Sequence, residues 1–550
     1  MSSVVVEGNH GQVGGGLIAT PLTSRCFILG LIFVVVLLHC MALPHRELRG
    51  EEGRRVVAAR EMIANSDAIV PTVWGQPYLN KPPLYPWLTV AVSRISGAPL
   101  NEIAVRIPAL VATVMTGLLL LLAGHRLGNW RQGSFAAIFF LLCPVVIRKS
   151  TLGETDLLLT LGCTMYAIEM LLIQSATSKR GFTSSVWMTA GLCIALLAKG
   201  PIALLFMLSV MVAAAIAGGS ARWKQPNWWG PPLAALAISS IWVLAVLGRL
   251  EDQGLMTNWM EELSRSRSGG EWWRHRWEFI SGVGLGFFPA MLFVFFSGSP
   301  RADRGWFGDV RFRPLATAIV IPGLVLLLWP GVQPRYLLPV LPLLAWMAAM
   351  FIDDSMAGGH AESGGEKAIS AFTRFIRTLV GIAGVASFAI AIALLFTADS
   401  IDGLPPISAA GFMMMGVMLS TAVWVPLKKS ERGSAESSAM RWILMLLAWL
   451  ACHALIIEPD RGLYRPLQEV ASQIEQMVPS DEILWHDVNA RWNTLGQIDR
   501  ELRLVTAEAG PSAGDWFLTV ETAESRLKDG WKSIEFDDGL RASLGLQRSD

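Results

Sequence analysis

IAVRIPALVATVMTGLLLLLAG, residues 103–124, is an apolar run interrupted by one charged side chain, Arg106. The run is continuous rather than alternating, and about 20 such residues are enough for an α-helix to cross the roughly 30 Å hydrocarbon layer of a membrane. Comparable runs recur throughout the chain. They predict about thirteen transmembrane helices, near 26–43, 103–124, 133–147, 155–174, 183–198, 200–218, 230–248, 279–297, 314–330, 335–353, 375–397, 408–426 and 440–457.

The composition supports the same fold class, an α-helical polytopic membrane protein. Of 550 residues, 53% are hydrophobic and 16% are charged, which excludes an ordinary water-soluble chain and a disordered one. The formal net charge of +1 gives no indication of a nucleic-acid partner. All six cysteines fall in apolar runs without zinc-type spacing, so we expect neither a disulfide nor structural zinc. We also expect no cofactor.

The spans divide the chain into three predicted parts. Residues 1–25 form a flexible cytoplasmic tail, and residues 26–457 form the transmembrane domain. Residues 458–550 form a small soluble α/β module outside the cytoplasm, since a helical pattern at 467–477 is followed by strand-like stretches at 482–486 and 516–520.

The positive-inside rule gives an orientation for these spans. With the N-terminus in the cytoplasm, each predicted inner loop carries basic residues, as at Arg222 and Lys224. The outer stretches 44–102 and 249–278 also carry many cations, which contradicts a simple charge rule. We therefore expect the cations of these outer stretches to bind a ligand or to take part in catalysis.

The first outer stretch opens with Arg49-Gly-Glu-Glu-Gly-Arg-Arg55. On a helix, Glu51 and Arg54 are three positions apart and share a face, so a general base and a phosphate-binding cation could point at one substrate. An amphipathic helix lying in the membrane interface explains the same charges without any function. The spacing alone leaves both interpretations open.

A lysine framed by prolines follows in Asn80-Lys81-Pro-Pro-Leu-Tyr85. The prolines favour an extended approach that holds Lys81 at a defined place, and a fixed ammonium suits a phosphate oxygen. The alternative is a turn whose lysine extends to the membrane surface beside a belt of aromatic residues.

Further charges stand at the ends of predicted spans. Asp156 precedes the apolar residues of the fourth span, where it is either functional or a first-turn residue that favours the helix dipole. Lys199 precedes Gly-Pro between two spans, and Arg335-Tyr336 opens another. All map to the predicted outer face together with Glu51 and Lys81, which favours an enzyme acting on a lipid-linked anion over a pathway through the membrane.

These motifs resemble those of bacterial GT-C glycosyltransferases of the aminoarabinose transferase type, relatives of the protein O-mannosyltransferases. The resemblance covers about residues 26–355 and is most specific in the first loop, in Glu51-Glu52-Gly-Arg54 and Lys81-Pro-Pro. It implies the GT-C fold, with juxtamembrane helices in the first catalytic loop, 44–102, and a second extracytoplasmic loop at 249–278.

The resemblance also implies roles for particular residues. Glu51 stands where the family has an aspartate that is its proposed base, so this chain departs from the family by one methylene. Glu52 and Asp156 match the family's other acidic positions, so the predicted catalytic residues are Glu51, Asp156 and Glu52. Donor-phosphate binding is implied for Arg54, Lys81, Lys199, Arg335 and Tyr336, and His275 lies in a loop where relatives often place a histidine.

The implied activity is inverting, metal-independent transfer of a sugar from a polyprenyl-phosphate donor to a lipid, glycan or protein acceptor. It would take place at the outer face of a bacterial inner membrane. A transporter or flippase of lipid-linked sugars is an alternative that predicts charges along a central path and internal two-fold similarity. A non-catalytic homologue is another, since Glu51 replaces the aspartate.

Overall fold

The computed structural model describes residues 25–173, 181–218, 226–250, 272–297, 310–329, 332–356, 364–397, 434–459, 466–479 and 482–486, with short pieces between 413 and 549. The predicted tail, most of the 249–278 loop and most of the 408–426 span lie outside these residues. The helices are α1 Arg25–Met41, α2 Glu52–Ala64, α3 Leu84–Ser96, α4 Glu102–Arg126, α5 Trp130–Leu142, α6 Pro144–Ser150, α7 Asp156–Ala167, α8 Phe182–Lys199, α9 Ile202–Gly218, α10 Pro226–Leu247, α11 Trp272–Gly286, α12 Ala290–Ser297, α13 Phe312–Leu328, α14 Leu341–Met356, α15 Gly364–Thr397, α16 Ser434–Cys452 and α17 Pro466–Met477.

The protein is a multi-pass membrane protein built from apolar helices. Within the described residues, six helices are long and apolar enough to cross a membrane, and three shorter apolar helices accompany them. A π-helical turn, Ile168–Ile173, extends α7, and a 3-10 turn, Pro334–Val340, leads into α14. The full count of thirteen spans stays a prediction.

The predicted span 133–147 is not one straight helix, which corrects the sequence interpretation. α5 ends at Leu142 and α6 begins at Pro144, with a bend of 65° between them. Proline has no N–H to continue the helical ladder, so the chain breaks at this residue. His39 of α1 bonds to the Leu141 carbonyl at 3.0 Å and to the Ser150 hydroxyl at 2.8 Å, so it holds both halves of the break.

Close packing of α7 against α8 positions two charges of the predicted site. A Cβ added at Gly162 would lie 2.3 Å from the Gly191 carbonyl oxygen, so the two backbones are nearly in contact. Because the helices run in opposite directions, this crossing places Asp156, at the start of α7, beside Lys199, at the end of α8.

The first loop folds into a helix, a small hairpin and a second helix. The predicted helical stretch near residues 49–62 is α2. Strands β1, Thr72–Val73, and β2, Gln76–Pro77, pair antiparallel through a turn in which Trp74 adopts a φ of 57°. Glu61 of α2 accepts hydrogen bonds from the Trp74 and Gly75 amides, at 2.5 and 3.1 Å, and from the Thr72 hydroxyl at 2.6 Å. This carboxylate therefore fixes the hairpin against α2.

The C-terminal part adds α17 and a five-stranded sheet. Its strands are β3 Leu484–His486, β4 Leu502–Leu504, β5 Trp516–Thr519, β6 Trp531–Phe536 and β7 Leu544–Ser549. They lie in the order β4-β3-β5-β7-β6, with β3 parallel to both of its neighbours and the other pairs antiparallel. The division of residues 458–550 into a separate module stays a prediction.

This C-terminal sheet packs directly on the first loop. Apolar side chains of α2 and the hairpin share one buried cluster with α17, β3, β4 and β5. Arg60 donates to the Ile498 carbonyl, and Trp74 meets the His486 ring edge to face at 4.4 Å between centroids. Gly496 lies so close to Gly53 that an added Cβ would come within 2.7 Å of the Gly53 Cα.

We expect Gly162→Ala to destabilise the protein, because its new methyl group would force α7 and α8 apart. Overpacking of this kind costs roughly 1–3 kcal/mol. Gly30→Ala is the matched control, since a Cβ on Gly30 meets nothing within 4 Å. Thermal unfolding in detergent should show a lower Tm for the first variant alone, and equal Tm values would contradict the packing argument.

Candidate active site

A polar cavity of about 380 Å³ lies where the first loop meets the starts and ends of the membrane helices. It collects side chains from α2, the hairpin, the turn before α7, the end of α8 and the 3-10 turn. Its lining residues are Glu51, Arg54, Arg55, Val73, Trp74, Gln76, Pro77, Tyr78, Asn80, Lys81, Glu154, Thr155, Asp156, Lys199, Arg335 and Tyr336. The structure therefore brings Glu51, Arg54, Lys81, Asp156, Lys199, Arg335 and Tyr336 together, as their common predicted face required.

Glu51 is the accessible carboxylate of the first-loop motif. It stands at the N-terminal end of α2, and its side chain is 43% exposed. Arg54 lies 3.1 Å away, from nitrogen to carboxylate oxygen, three positions along the helix as predicted. A solvent-accessible carboxylate at a cavity wall is able to accept a proton from a bound hydroxyl group.

Glu52, predicted to be catalytic, is instead sealed inside the protein. It is fully buried and receives Arg106 at 2.8 and 2.9 Å, the Gly153 amide at 2.6 Å and the Arg49 amide at 2.8 Å. A carboxylate with four such donors has no exposed oxygen for a substrate. The structure thus makes Glu52 the anchor that joins α2 to α4 and to the turn before α7.

Asp156 and Glu154 form the buried acidic wall of the cavity. Asp156 pairs with Lys199 and lies 3.9 Å from the Arg335 guanidinium. Glu154 receives Arg335 at 2.9 Å and also pairs with Lys149. These shared partners fix Arg335 between two carboxylates, so its planar group is oriented before any ligand arrives.

Two tyrosine side chains, Tyr336 and Tyr78, also interact with the charged groups of the cavity. The Lys199 ammonium lies 4.4 Å from the centre of the Tyr336 ring, and the Arg335 guanidinium lies 5.8 Å from it. Burial raises the pKa of the Tyr78 phenol, an effect opposed by the nearby charge of Arg55. Tyr78 therefore stays protonated at neutral pH and can donate a hydrogen bond.

Lys81 lies where the polar cavity meets an apolar groove of about 240 Å³. Pro83, two positions later, is the N-cap residue of α3. The groove runs between α9 and α13, and its lining is Asn80, Lys81, Lys199, Pro201, Ile202, Leu205, Val325, Leu326, Trp329 and Tyr336. The two spaces share four residues, so a molecule with a charged head and an apolar tail would fit across both.

His275 does not reach the cavity described here. It is buried on α11, and its Nδ1 lies 3.6 Å from a Glu278 carboxylate oxygen. The sequence signal was its loop position alone, without a surrounding motif. Its predicted role in a substrate loop is not supported by this placement.

Sequence reasoning missed several contributors to the site, among them Arg55, Trp74, Tyr78 and Glu154. Arg55 is adjacent to Arg54, and Glu154 lies two positions before Asp156, but charge sign alone does not separate them from these neighbours. The positive φ of Trp74 and the burial of Tyr78 follow from the hairpin, which a two-residue strand pattern does not reveal. Among the described residues, no three His, Cys, Asp or Glu side chains are grouped as a metal site would require.

A helical membrane fold with a carboxylate-bearing, cation-rich cavity at its first loop is consistent with a membrane glycosyltransferase of the GT-C class. Residues 80–244 match the family model described as dolichyl-phosphate-mannose-protein mannosyltransferase. The crystal structure of ArnT from Cupriavidus metallidurans bound to undecaprenyl phosphate has a TM-score of 0.70 and 16% identity, and covers 95% of this chain and 98% of that one. This likeness establishes the fold.

The relatives found by sequence comparison are glycosyltransferases with one donor named in common. An undecaprenyl phosphate-alpha-4-amino-4-deoxy-L-arabinose arabinosyl transferase from Edwardsiella ictaluri is 29% identical over 72% of this chain and 70% of its own length. A protein of the same name from Serratia proteamaculans is 26% identical over 61% of this chain and 60% of its own length, so the alignment leaves much of that relative uncovered. The chain is thus similar in sequence to aminoarabinose transferases and in fold to ArnT.

We expect Glu52→Gln to destabilise the protein strongly, because it leaves the buried Arg106 guanidinium without its counter-charge. Breaking a buried ion pair costs roughly 3–5 kcal/mol. The neighbouring Glu51→Gln is the matched control, since Glu51 is partly exposed and this change should alter stability by less than about 0.5 kcal/mol. Thermal melting of both variants in detergent tests this difference, and similar Tm values would mean that Glu52 is not an anchor.

Proposed function

We propose that this protein moves a sugar from a polyprenyl-phosphate donor to a lipid or other envelope acceptor, with inversion, at the outer face of a bacterial inner membrane. The observation that carries the proposal is the arrangement of the cavity. An accessible carboxylate, Glu51, and a group of fixed cations line one space that opens into an apolar groove.

The cations suit the donor phosphate. Lys81 and Lys199 line both the polar cavity and the groove, and Tyr336 does the same. Arg335 lies beside them on the 3-10 turn, held by Glu154 at 2.9 Å. In our proposal the phosphate binds at this junction, where charge-assisted hydrogen bonds are strongest.

The groove suits the polyprenyl chain. Its lining includes apolar side chains of α9 and α13, such as Leu205 and Val325. A polyprenyl tail entering between these helices would keep its apolar surface out of water. The phosphate would then stop at Lys81, with the sugar in the polar cavity.

One displacement accounts for the transfer. The acceptor hydroxyl gives its proton to Glu51 while its oxygen attacks the anomeric carbon. The bond from that carbon to the phosphate oxygen breaks, and the polyprenyl phosphate leaves with the electron pair. The cations stabilise the negative charge that develops on the leaving phosphate. Asp156, buried and paired with Lys199, positions that cation in this scheme.

Glu51→Gln should lower turnover by about 10²–10⁴-fold with donor binding retained, because a positioned general base contributes that much. Sugar transfer and donor binding by the purified protein provide the two measurements. Glu278→Gln, which removes an exposed carboxylate on α11, should leave both unchanged. If Glu51→Gln keeps its turnover, the base is elsewhere, and Asp156 is the next candidate.

Lys81→Met should raise the KM for the donor by about ten- to a hundredfold, because one charge-assisted contact to the phosphate is lost. Arg94→Gln is the control, since Arg94 is exposed on α3 in the same loop and does not line the cavity. Steady-state kinetics over a range of donor concentrations gives KM for each variant. An unchanged KM would place the phosphate away from Lys81.

A further inference from the structure

We propose that α11 positions the Arg335 guanidinium for the donor phosphate through two glycines, Gly282 and Gly286. The glycines are four positions apart and share one face of the helix. Neither of them lines the cavity or the groove, so both are positioning residues. The inference rests on the proposed function, in which Arg335 binds the phosphate.

Gly282 lies directly against the residue that precedes Arg335. A Cβ added at Gly282 would come within 3.0 Å of the Pro334 Cβ and closer still to its Cγ. The proline ring closes onto its own backbone, so it cannot rotate away from such an overlap. The 3-10 turn that begins at Pro334 would have to move, and Arg335 would move with it.

Gly286 packs on a second element that supports Arg335. A Cβ added at Gly286 would lie 3.2 Å from the Val145 Cβ of α6. The same helix, α6, carries Lys149, which shares the Glu154 carboxylate with Arg335. Small residues allow helices in a membrane to approach this closely. One face of α11 therefore contacts both the turn that carries Arg335 and the helix that helps to hold its carboxylate partner.

The helix α11 also contacts the element that borders the groove. Arg276 donates a hydrogen bond to the carbonyl of Leu328, the last residue of α13, at 3.2 Å. Upstream on α13, Val325 and Leu326 line the groove. Since α11 contacts both the phosphate-binding turn and the groove-lining helix, it determines how the two parts of the donor site lie relative to each other.

Binding of undecaprenyl phosphate to the full-length protein in lipid nanodiscs tests the proposal. Gly282→Ala should raise the Kd about tenfold, because a displaced guanidinium loses a charge-assisted hydrogen bond to the phosphate. Gly286→Ala, whose overlap is milder, should raise it about two- to fivefold. Gly284→Ala is the matched control on the same helix and should leave the Kd unchanged, since a Cβ on Gly284 meets nothing within 4 Å.

Removal of the proline ring separates positioning from a general loss of stability. Pro334→Ala deletes the Cγ atom that a new Cβ at position 282 would overlap. Gly282→Ala combined with Pro334→Ala should therefore bind within about threefold of Pro334→Ala alone. A double variant that does not recover its affinity overturns the proposal. A lower Tm for Gly282→Ala with an unchanged Kd also overturns it, because the glycine would then serve packing alone.

Arg335→Gln distinguishes a failure of this inference from a failure of the proposed function. If Arg335→Gln weakens binding and Gly282→Ala does not, only the role of α11 is wrong. If Arg335→Gln leaves the Kd unchanged, the phosphate binds elsewhere and both proposals are overturned. If Gly282→Ala does not fold, Gly286→Ala decides in its place, and an unchanged Kd for that variant overturns the inference.

Discussion

The buried ion pair between Glu52 and Arg106 is the contact on which the site depends. Arg106 is almost fully buried, and besides Glu52 it binds the backbone carbonyls of Leu43, Arg46 and Glu47, at 3.0, 2.7 and 2.7 Å. One guanidinium therefore connects the chain leaving α1, the start of α2 and the N-terminal part of α4. Since Glu52 also binds the Gly153 amide, the position of the acidic turn before α7 follows from the same contact. Glu51 is presented to the cavity because its neighbour is fixed.

A second constraint is that the cavity is charged before any ligand enters. Its cations are held by carboxylates on rigid elements, as Arg335 is held by Glu154 and Asp156. Their orientation therefore costs little when a phosphate binds, which is the advantage of a preorganised electrostatic site. The helix crossing at Gly162 and Gly191 contributes to this preorganisation, because it determines how closely Asp156 and Lys199 approach each other.

The sequence predicted the fold class and the composition of the cavity better than it predicted individual roles. Apolar runs identify helices well. Charges that map to one face of a membrane are confined to a small region, so the sequence predicts that one site contains Glu51, Lys81, Asp156, Lys199 and Arg335. Adjacent residues were harder to separate. Glu51 and Glu52 look alike in the chain, and only the distant partner Arg106 decides which one is buried. The break at Pro144 was missed because the residues on either side of it are equally apolar.

The contact between the first loop and the C-terminal sheet has a consequence for how the protein is made. Arg60 and its partner Ile498 are 438 positions apart, and the apolar cluster beneath Trp74 includes residues from β3, β4 and β5. During synthesis the membrane helices emerge and insert long before those strands exist. The hairpin that lines the cavity therefore lacks the support of this sheet until the strands have been synthesised. The protein thus completes its site only after the membrane helices that precede these strands have been synthesised.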